Sequence, residues 1–381
     1  MTPPMTPPTV SRDQVLAWRL SAQGLQTRLP AARRHEAVRP VGLRSGGPDS
    51  AVLGWFARAE EVGPDDVRTA LEERRWVEAP SLRGSRVVAP ADLGTVTVGA
   101  LPVDGAALRN RLRRRGVTTV ADPADLLRDG VTAAQAALED APCTIGELSQ
   151  AVTAALPAEA SAYCPPCDAV HVDVGLFGLI ELSIGWVRAL GGAGITYVLP
   201  EQWLTDPPRR DPDEGAVALL AWHLRAHSPT TPTELAAYLG TGGAEAARRW
   251  ERAPELAEVA YDGRQAWVPA VDLDALRAAV PAEGVRLLPP YDAALDVPDR
   301  ATLVPDRQRR KEVWRVVANS GLAIVDGAVS CAWRARKDGR RLSARLIALD
   351  GWHPGHGGRI AEELAVVAWL RGAELAAVEG A

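Results

Sequence analysis

The chain has 381 residues, 47% of them hydrophobic, which is long enough for two or three cored domains and too apolar for a disordered chain. Its formal net charge of -5 excludes a protein that coats nucleic acid through broad positive potential, but leaves room for a local basic groove. No apolar run approaches the roughly 20 residues of a membrane helix, and the opening MTPPMTPPTV has neither a basic n-region nor an apolar h-region, so a cytoplasmic protein without a membrane partner is expected.

In chain order, residues 1–10 read as a disordered leader. The spacing of Val15, Leu16, Trp18 and Leu20 predicts a helix over 12–24 capped by Ser11, and 31–41 reads as a second. The stretch 41–58 then brings an apolar lead-in, a Ser45-Gly46-Gly47 bend that lets backbone approach a ligand, and a helix with Asp49 or Ser50 as its N-cap. A fourth helix over 64–75 runs into strand-like pieces at 76–78 and 82–88, and helices followed by a hairpin describe a winged helix spanning 11–103. The basic segment 109–115 is expected to connect to a middle copy, with helices at 144–156 and 174–186 and a strand at 195–198, the whole spanning 104–210. The third copy, 211–282, is the clearest. A helix over 216–226 is followed by a capping-type start at Thr231-Pro232-Thr233-Glu234, a third helix over 244–252 and two β-rich runs around Asp262-Gly263. From 283 to 381 the strand signals at 285–288, 322–325, 330–334 and 342–349, with Asp-Gly turns between them and a closing helix over 359–370, predict a small β-barrel or curled sheet. The expected architecture is α+β, tandem winged-helix units followed by that barrel, and repetition of one unit suggests a scaffold that wraps something long.

The positive charge is almost all arginine, with Lys311 and Lys337 as the lysines. Arg248, Arg249 and Arg252 lie on the third helix of the last winged unit, the element that enters the major groove, and Arg264 lies near its wing tip. Arg83 and Arg86 lie in the strand-like piece 82–88 of the first winged unit, and Arg309, Arg310, Arg334 and Arg336 belong to two basic runs of the last domain. These ten arginines are the expected contacts to double-stranded DNA. The four cysteines are too few for a disulfide framework. Cys164-Pro165-Pro166-Cys167 followed by His171 has the local spacing of a zinc knuckle arm, with Cys143 or Asp168 as a fourth ligand and free thiols as the alternative. His353 and His356 sit in a Gly-rich loop and are read as no ligand pair. Phosphate loops, dinucleotide fingerprints and a serine nucleophile elbow are all missing, which removes most familiar enzyme classes.

Further motifs carry a family resemblance over nearly the whole chain. They are Leu16-Ala17-Trp18-Arg19-Leu20 with Gln23-Gly24-Leu25, Val41-Gly42-Leu43, the run from Ser50-Ala51 to Ala57-Arg58, Leu82-Arg83-Gly84, Leu287-Leu288-Pro289-Pro290-Tyr291-Asp292, Val325-Asp326-Gly327 and Trp333-Arg334. With these the chain resembles the winged-helix proteins that include the crosslink-repair and azinomycin-resistance DNA glycosylases. The resemblance implies three winged helices and a barrel, C-shaped around a DNA-sized channel, in a monomer that removes N7-alkylated guanine from duplex DNA without a cofactor. In that family a Gln-x-Gln or Gln-x-Asp motif lines the channel, and a gapless match places Arg44 and Gly46 at its two positions. Arginine accepts no hydrogen bond and cannot orient a water as an acceptor. Asp49 is the acidic residue of the turn that could replace the missing acceptor, and Arg44 could hold a phosphate or sugar edge, so Asp49 and Arg44 are the candidate catalytic pair. The alternative is a non-catalytic transcription regulator or a lesion-binding paralogue.

Overall fold

The structure, a computed structural model, describes residues 6–39, 42–45, 50–82, 85–102, 104–114, 122–190, 194–315 and 318–380. Asp49 and Arg83 lie outside these, as do Gly46, Gly47 and Pro48. The class is α+β as expected. The chain divides into two compact units, one made of Met1–Arg68, Ala221–Tyr238 and Ala253–Ala381, the other of Thr69–Leu220 and Leu239–Arg252. Among the described residues no helix is long and apolar enough to cross a membrane.

The first unit is organised on a five-stranded sheet in the order Val285–Leu288, Gly321–Val325, Ala328–Asp338, Arg341–Ala348, Glu374–Gly380. Its first three junctions are antiparallel. Asp326 and Gly327 have φ of 48° and 80°, the left-handed pair that a two-residue hairpin turn requires, so the Asp-Gly signal was a true turn. The last junction is parallel. Parallel neighbours need a crossover, and the helix His356–Leu370 supplies it. The sheet is therefore open, and the expected β-barrel is corrected: among the described residues no ladder joins its two edge strands. The reason is visible in Gly321–Val325, which is buried at every position. A strand that is apolar on both faces needs packed layers on both sides of the sheet rather than a closed cylinder with one face in water.

One layer is the helix Arg12–Ala22, held at its start by a capping box in which Ser11 and Gln14 bond each other's backbone. Leu16 and Leu20 of this helix share a core with Leu25, Leu288, Leu295, Leu322 and Ile324. Val10 and Val15 join a smaller cluster with Val259, Tyr261, Ala266 and Val268. These last four come from the hairpin Leu256–Tyr261 and Arg264–Pro269, closed by Asp262 and Gly263 at φ 50° and 72°. The segment read as a second α-helix is instead a 3-10 helix over Ala31–Val38.

The second unit is mainly helical. Pro123–Asp140, Ile145–Ala155 and Val174–Ile184 pack closely enough that a Cβ on Gly130 would meet Ile180 Cδ1 at 2.4 Å. Asp173 caps the last of these helices, and Gly185 ends it at φ 69°. Val77–Pro80 pairs with Arg86–Ala89, Ser161–Cys164 with Ala169–Val172, and Val187–Ala189 with Thr196–Val198. The basic segment read as a connector belongs to a helix, Gly105–Arg114, which buries Ala107, Leu108 and Leu112.

Candidate functional site

The stretch 41–58 enters through Gly42 at φ 66° and a short strand, Leu43–Arg44, and leaves through the helix Ser50–Phe56. Its ends are tied together, because the Ser50 hydroxyl donates to the Arg44 carbonyl at 2.7 Å. The helix buries Val52, Leu53, Trp55 and Phe56, as its apolar pattern dictates. Just past its end Arg58 is fully buried. Its guanidinium forks onto Asp292 with two bonds of 2.8 Å, and it also donates to the Gly54 and Gln23 carbonyls. A charge with four hydrogen bonds to three partners satisfies the rule that buried ions survive only when paired and bonded. Gly54 packs beside this pair: a Cβ there would lie in ordinary van der Waals contact, 3.4 Å from Leu43 and 3.5 Å from the Asp292 carboxylate.

Three of the segments singled out in the sequence thus meet at one ion pair: Gln23 from the first helix, Arg58 after the turn, and Asp292 from the Pro-Pro-Tyr-Asp run. The sequence did carry a signal for it, since Arg58 follows an apolar run at a helical spacing that places it on the buried side. Arg44 itself stands at the surface of the same assembly, its guanidinium carbon 5.6 Å from the Tyr291 ring centroid. Tyr291 is 41% exposed and holds a left-handed φ of 65°. A cation over a half-exposed aromatic face is an arrangement that can grip a phosphate or a sugar.

The other arginines divide into two kinds. Arg86 reaches Glu181, Glu78 and the Tyr197 ring, and Arg249 is buried against Glu245 and the Gly99 and Leu101 carbonyls. Burial lowers the Arg249 pKa from its ordinary value. Arg334 donates to the Ser320 hydroxyl and the Glu312 carbonyl, and burial followed by the nearby Arg315 lowers its pKa. These three fasten the protein to itself. Arg248 and Arg252 are half exposed, pairing with Asp104 at 3.0 Å and Asp213 at 3.7 Å. Arg264 is held by Glu234 and Asp299 at 3.0 Å each. Arg309 and Arg336 are exposed, while Arg310 donates to the Val304 and Pro305 carbonyls.

In the first unit an open pocket of about 450 Å³ is lined by Asp299, Arg300, Arg307, Arg310, Lys311 and Trp314. The helix Arg307–Val313, capped by Asp306, supplies three of these cations, and Arg300 sits 5.0 Å from the Trp314 ring centroid. The basic run at 307–311 was legible in the sequence. Arg300 and Trp314 were not, because only the fold brings them beside it. Four cations against one carboxylate, with an indole wall, suit a phosphate-bearing chain.

In the second unit Cys164, Cys167 and His171 come together, with their ligand atoms all within 4.8 Å of one another. The backbone N–H of Cys167, then His171, hold the Cys164 thiol below its ordinary pKa, while hydrogen bonding to Cys164 raises that of Cys167. Cys143, one of the two candidate fourth ligands, is elsewhere: it is buried, and its thiol donates to the Ala137 and Ala141 carbonyls. Asp168 accepts from the Tyr163 hydroxyl at 2.6 Å.

A family model described as DNA glycosylase AlkZ-like matches residues 19–370. Over 155 residues the chain is 30% identical to an interstrand DNA cross-link repair glycosylase of Streptomyces sahachiroi, a match that covers 37% of this chain and 40% of that protein. The structure is similar to that of Streptomyces sahachiroi DNA glycosylase AlkZ with a TM-score of 0.74, covering 97% of this chain and 99% of the other at 20% identity. At that identity the likeness shows the fold. With the family model matched from the first helix to the end of the crossover helix, the chain belongs to the AlkZ-like DNA glycosylase family.

Proposed function

We propose that the protein is a cytoplasmic, monomeric DNA-binding enzyme that excises guanine alkylated at N7 from double-stranded DNA, with tandem winged-helix units at 11–103, 104–210 and 211–282. The observation that carries the reading is family membership along 19–370. The surface around Arg44 and Tyr291 and the basic pocket at Arg300, Arg307, Lys311 and Trp314 support it, since both offer cations beside aromatic faces. Among the expected contacts, the exposure of Arg309 and Arg336 and the half exposure of Arg248 and Arg252 support a role for them in meeting phosphate, whereas Arg86, Arg249 and Arg334 bond within the protein's own fold.

Alkylation at N7 makes guanine a cation, so the bond from N9 to C1′ breaks with its electron pair leaving on a neutral base. A water adds to the oxocarbenium-like C1′ and gives up its proton. In this chain Asp49 is the carboxylate assigned to take that proton, and Arg44 is assigned to hold the neighbouring phosphate. The test is release of N7-methylguanine from alkylated duplex, with undamaged duplex as control. The unsubstituted protein is expected to release the base, and Asp49→Ala to lower the rate by about 100-fold or more, the scale of a lost acid–base group. Unchanged release from Asp49→Ala would remove Asp49 from the reaction.

One observation favours a second reading. The resemblance puts Arg44 and Gly46 where the family motif has its glutamine and its partner, and a chain that keeps the scaffold without the acceptor could recognise lesions without cutting. Salt-sensitive binding of alkylated duplex with no base release would identify such a lesion binder. Preference for a particular undamaged sequence would identify a regulator.

A further inference from the structure

The hairpin Ser161–Cys164 and Ala169–Val172 pairs in the register Ala162 with His171, Tyr163 with Val170, and Cys164 with Ala169. Alternation along a strand puts Cys164 and Ala162 on one face, and their partners Ala169 and His171 share it. Cys164 and His171 are therefore diagonal neighbours on that face, a separation that an imidazole can bridge. The turn between the strands folds back tightly, with the Cys167 N–H donating to the Cys164 carbonyl at 3.1 Å. Asp168, immediately after, takes a left-handed φ of 49°. This turn returns the second thiol to the first and to the ring, giving the cluster of three donors within 4.8 Å.

We propose that Cys164, Cys167 and His171 form a binding site for a single zinc ion on this hairpin, with the fourth coordination position open to solvent. Tetrahedral zinc with sulfur at about 2.3 Å and nitrogen at about 2.0 Å sets its ligands roughly 3.6–3.8 Å apart. The three donor atoms, all within 4.8 Å of one another, stand close to that arrangement. A second feature points the same way. His171 Nδ1 lies 2.8 Å from the Val172 carbonyl, so Nδ1 carries the proton and donates it there, which leaves the Nε2 lone pair as the ligand. A backbone carbonyl fixing the tautomer and aim of a histidine is the outer-shell pattern of metal-binding imidazoles. Asp168 is occupied by the Tyr163 hydroxyl, and Cys143 lies in the loop after Pro123–Asp140, bonded elsewhere. Neither therefore fills the fourth position, and water does.

The donor set also selects the ion. Two thiolates and one imidazole suit a borderline-soft, tetrahedral divalent cation, whereas magnesium and calcium require oxygen. Binding releases the two thiol protons, so the neutral pair of thiols plus zinc becomes a neutral site and two protons leave to solvent. The gain is mechanical. Strands of four residues held by one turn are marginal on their own, and a metal that joins the turn to the second strand fixes them. On the opposite face Tyr163 and Val170 face each other across the strands, 59% and 61% exposed, so the ion would hold this aromatic and aliphatic pair in place.

The experiment uses the full chain, purified under reductant without a metal-affinity step. Metal content is measured by mass spectrometry, and the metal-free protein is titrated with cobalt as the spectroscopic probe. The expected result is one zinc per chain, and with cobalt a thiolate-to-metal charge-transfer band of two-thiolate intensity that saturates at one equivalent. Cys164→Ser, Cys167→Ser and His171→Ala each abolish one-equivalent saturation, while Cys143→Ser and Cys331→Ser, which alter buried thiols outside the cluster, leave it intact. Stoichiometry and band intensity are read on the unsubstituted protein, so a variant that fails to fold leaves the test standing. The proposal is overturned by reduced protein that holds no zinc and gives no charge-transfer band, by a band that survives Cys164→Ser with Cys167→Ser, or by a mass two hydrogens lighter that marks a Cys164–Cys167 disulfide under the same reducing conditions.

Discussion

Arg58 shows how a single side chain can hold a site that it does not touch chemically. Its fork on Asp292 and its bonds to Gly54 and Gln23 join the segment after the turn to the first helix and to the stretch carrying Tyr291. Arg44 depends on this arrangement for its place beside Tyr291. Removing one partner of a buried pair strands the other charge, which costs about 3–5 kcal/mol. Arg58→Ala is accordingly expected to lower stability by that amount in urea unfolding. Arg44→Ala, at a half-buried side chain outside that pair, should cost less, about 1 kcal/mol. Equal effects from the two variants would remove the distinction between them. The sequence carried Arg58 inside a recognisable motif but said nothing of Asp292 as its partner, since 234 residues separate them.

At the scale of elements, most helices and hairpins were legible because their signals are local. Ser11 as a cap and Thr231 with Glu234 announced helix starts, and the Asp-Gly pairs announced turns. The strand Glu374–Gly380 was missed, and with it the parallel pairing that opens the sheet, because its partner is chosen by the crossover helix and not by its own residues. Gly321 belongs to the same level. A Cβ there would meet the Leu288 carbonyl at 2.4 Å and Trp333 Nε1 at 2.5 Å, where that indole donates to Leu288. Gly321→Ala should therefore destabilise the first unit by about 1–3 kcal/mol through overpacking, measured as a fall in the unfolding midpoint. An unchanged midpoint would mean that the junction between Val285–Leu288 and Gly321–Val325 gives way without cost.

For the whole molecule the deciding quantity is where the charge lies rather than its sum. A net charge of -5 repels a polyanion at long range, so duplex binding has to rest on local cations whose contacts release counterions. Arg307 and Lys311 line the basic pocket, and among the described residues neither has an ion pair as close as those of Arg86 or Arg249. Each phosphate contact contributes about 0.9 to the slope of log affinity against log salt. Replacing both by alanine should thus lower that slope by about 2 in anisotropy titrations on duplex. An unaltered slope would move the interface away from this pocket.

The sequence by itself determined the helix starts, the hairpin turns, the thiol and imidazole spacing and the family likeness, because each depends on residues close together along the chain or on a pattern repeated in it. Only the tertiary structure decided which arginines are fastened inward and which stay available, that the last sheet is open, and that Arg58 closes on Asp292. Those outcomes depend on burial and on partners far apart in sequence, and a guanidinium reads the same in one dimension whether it will meet a carboxylate of its own fold or a phosphate outside it.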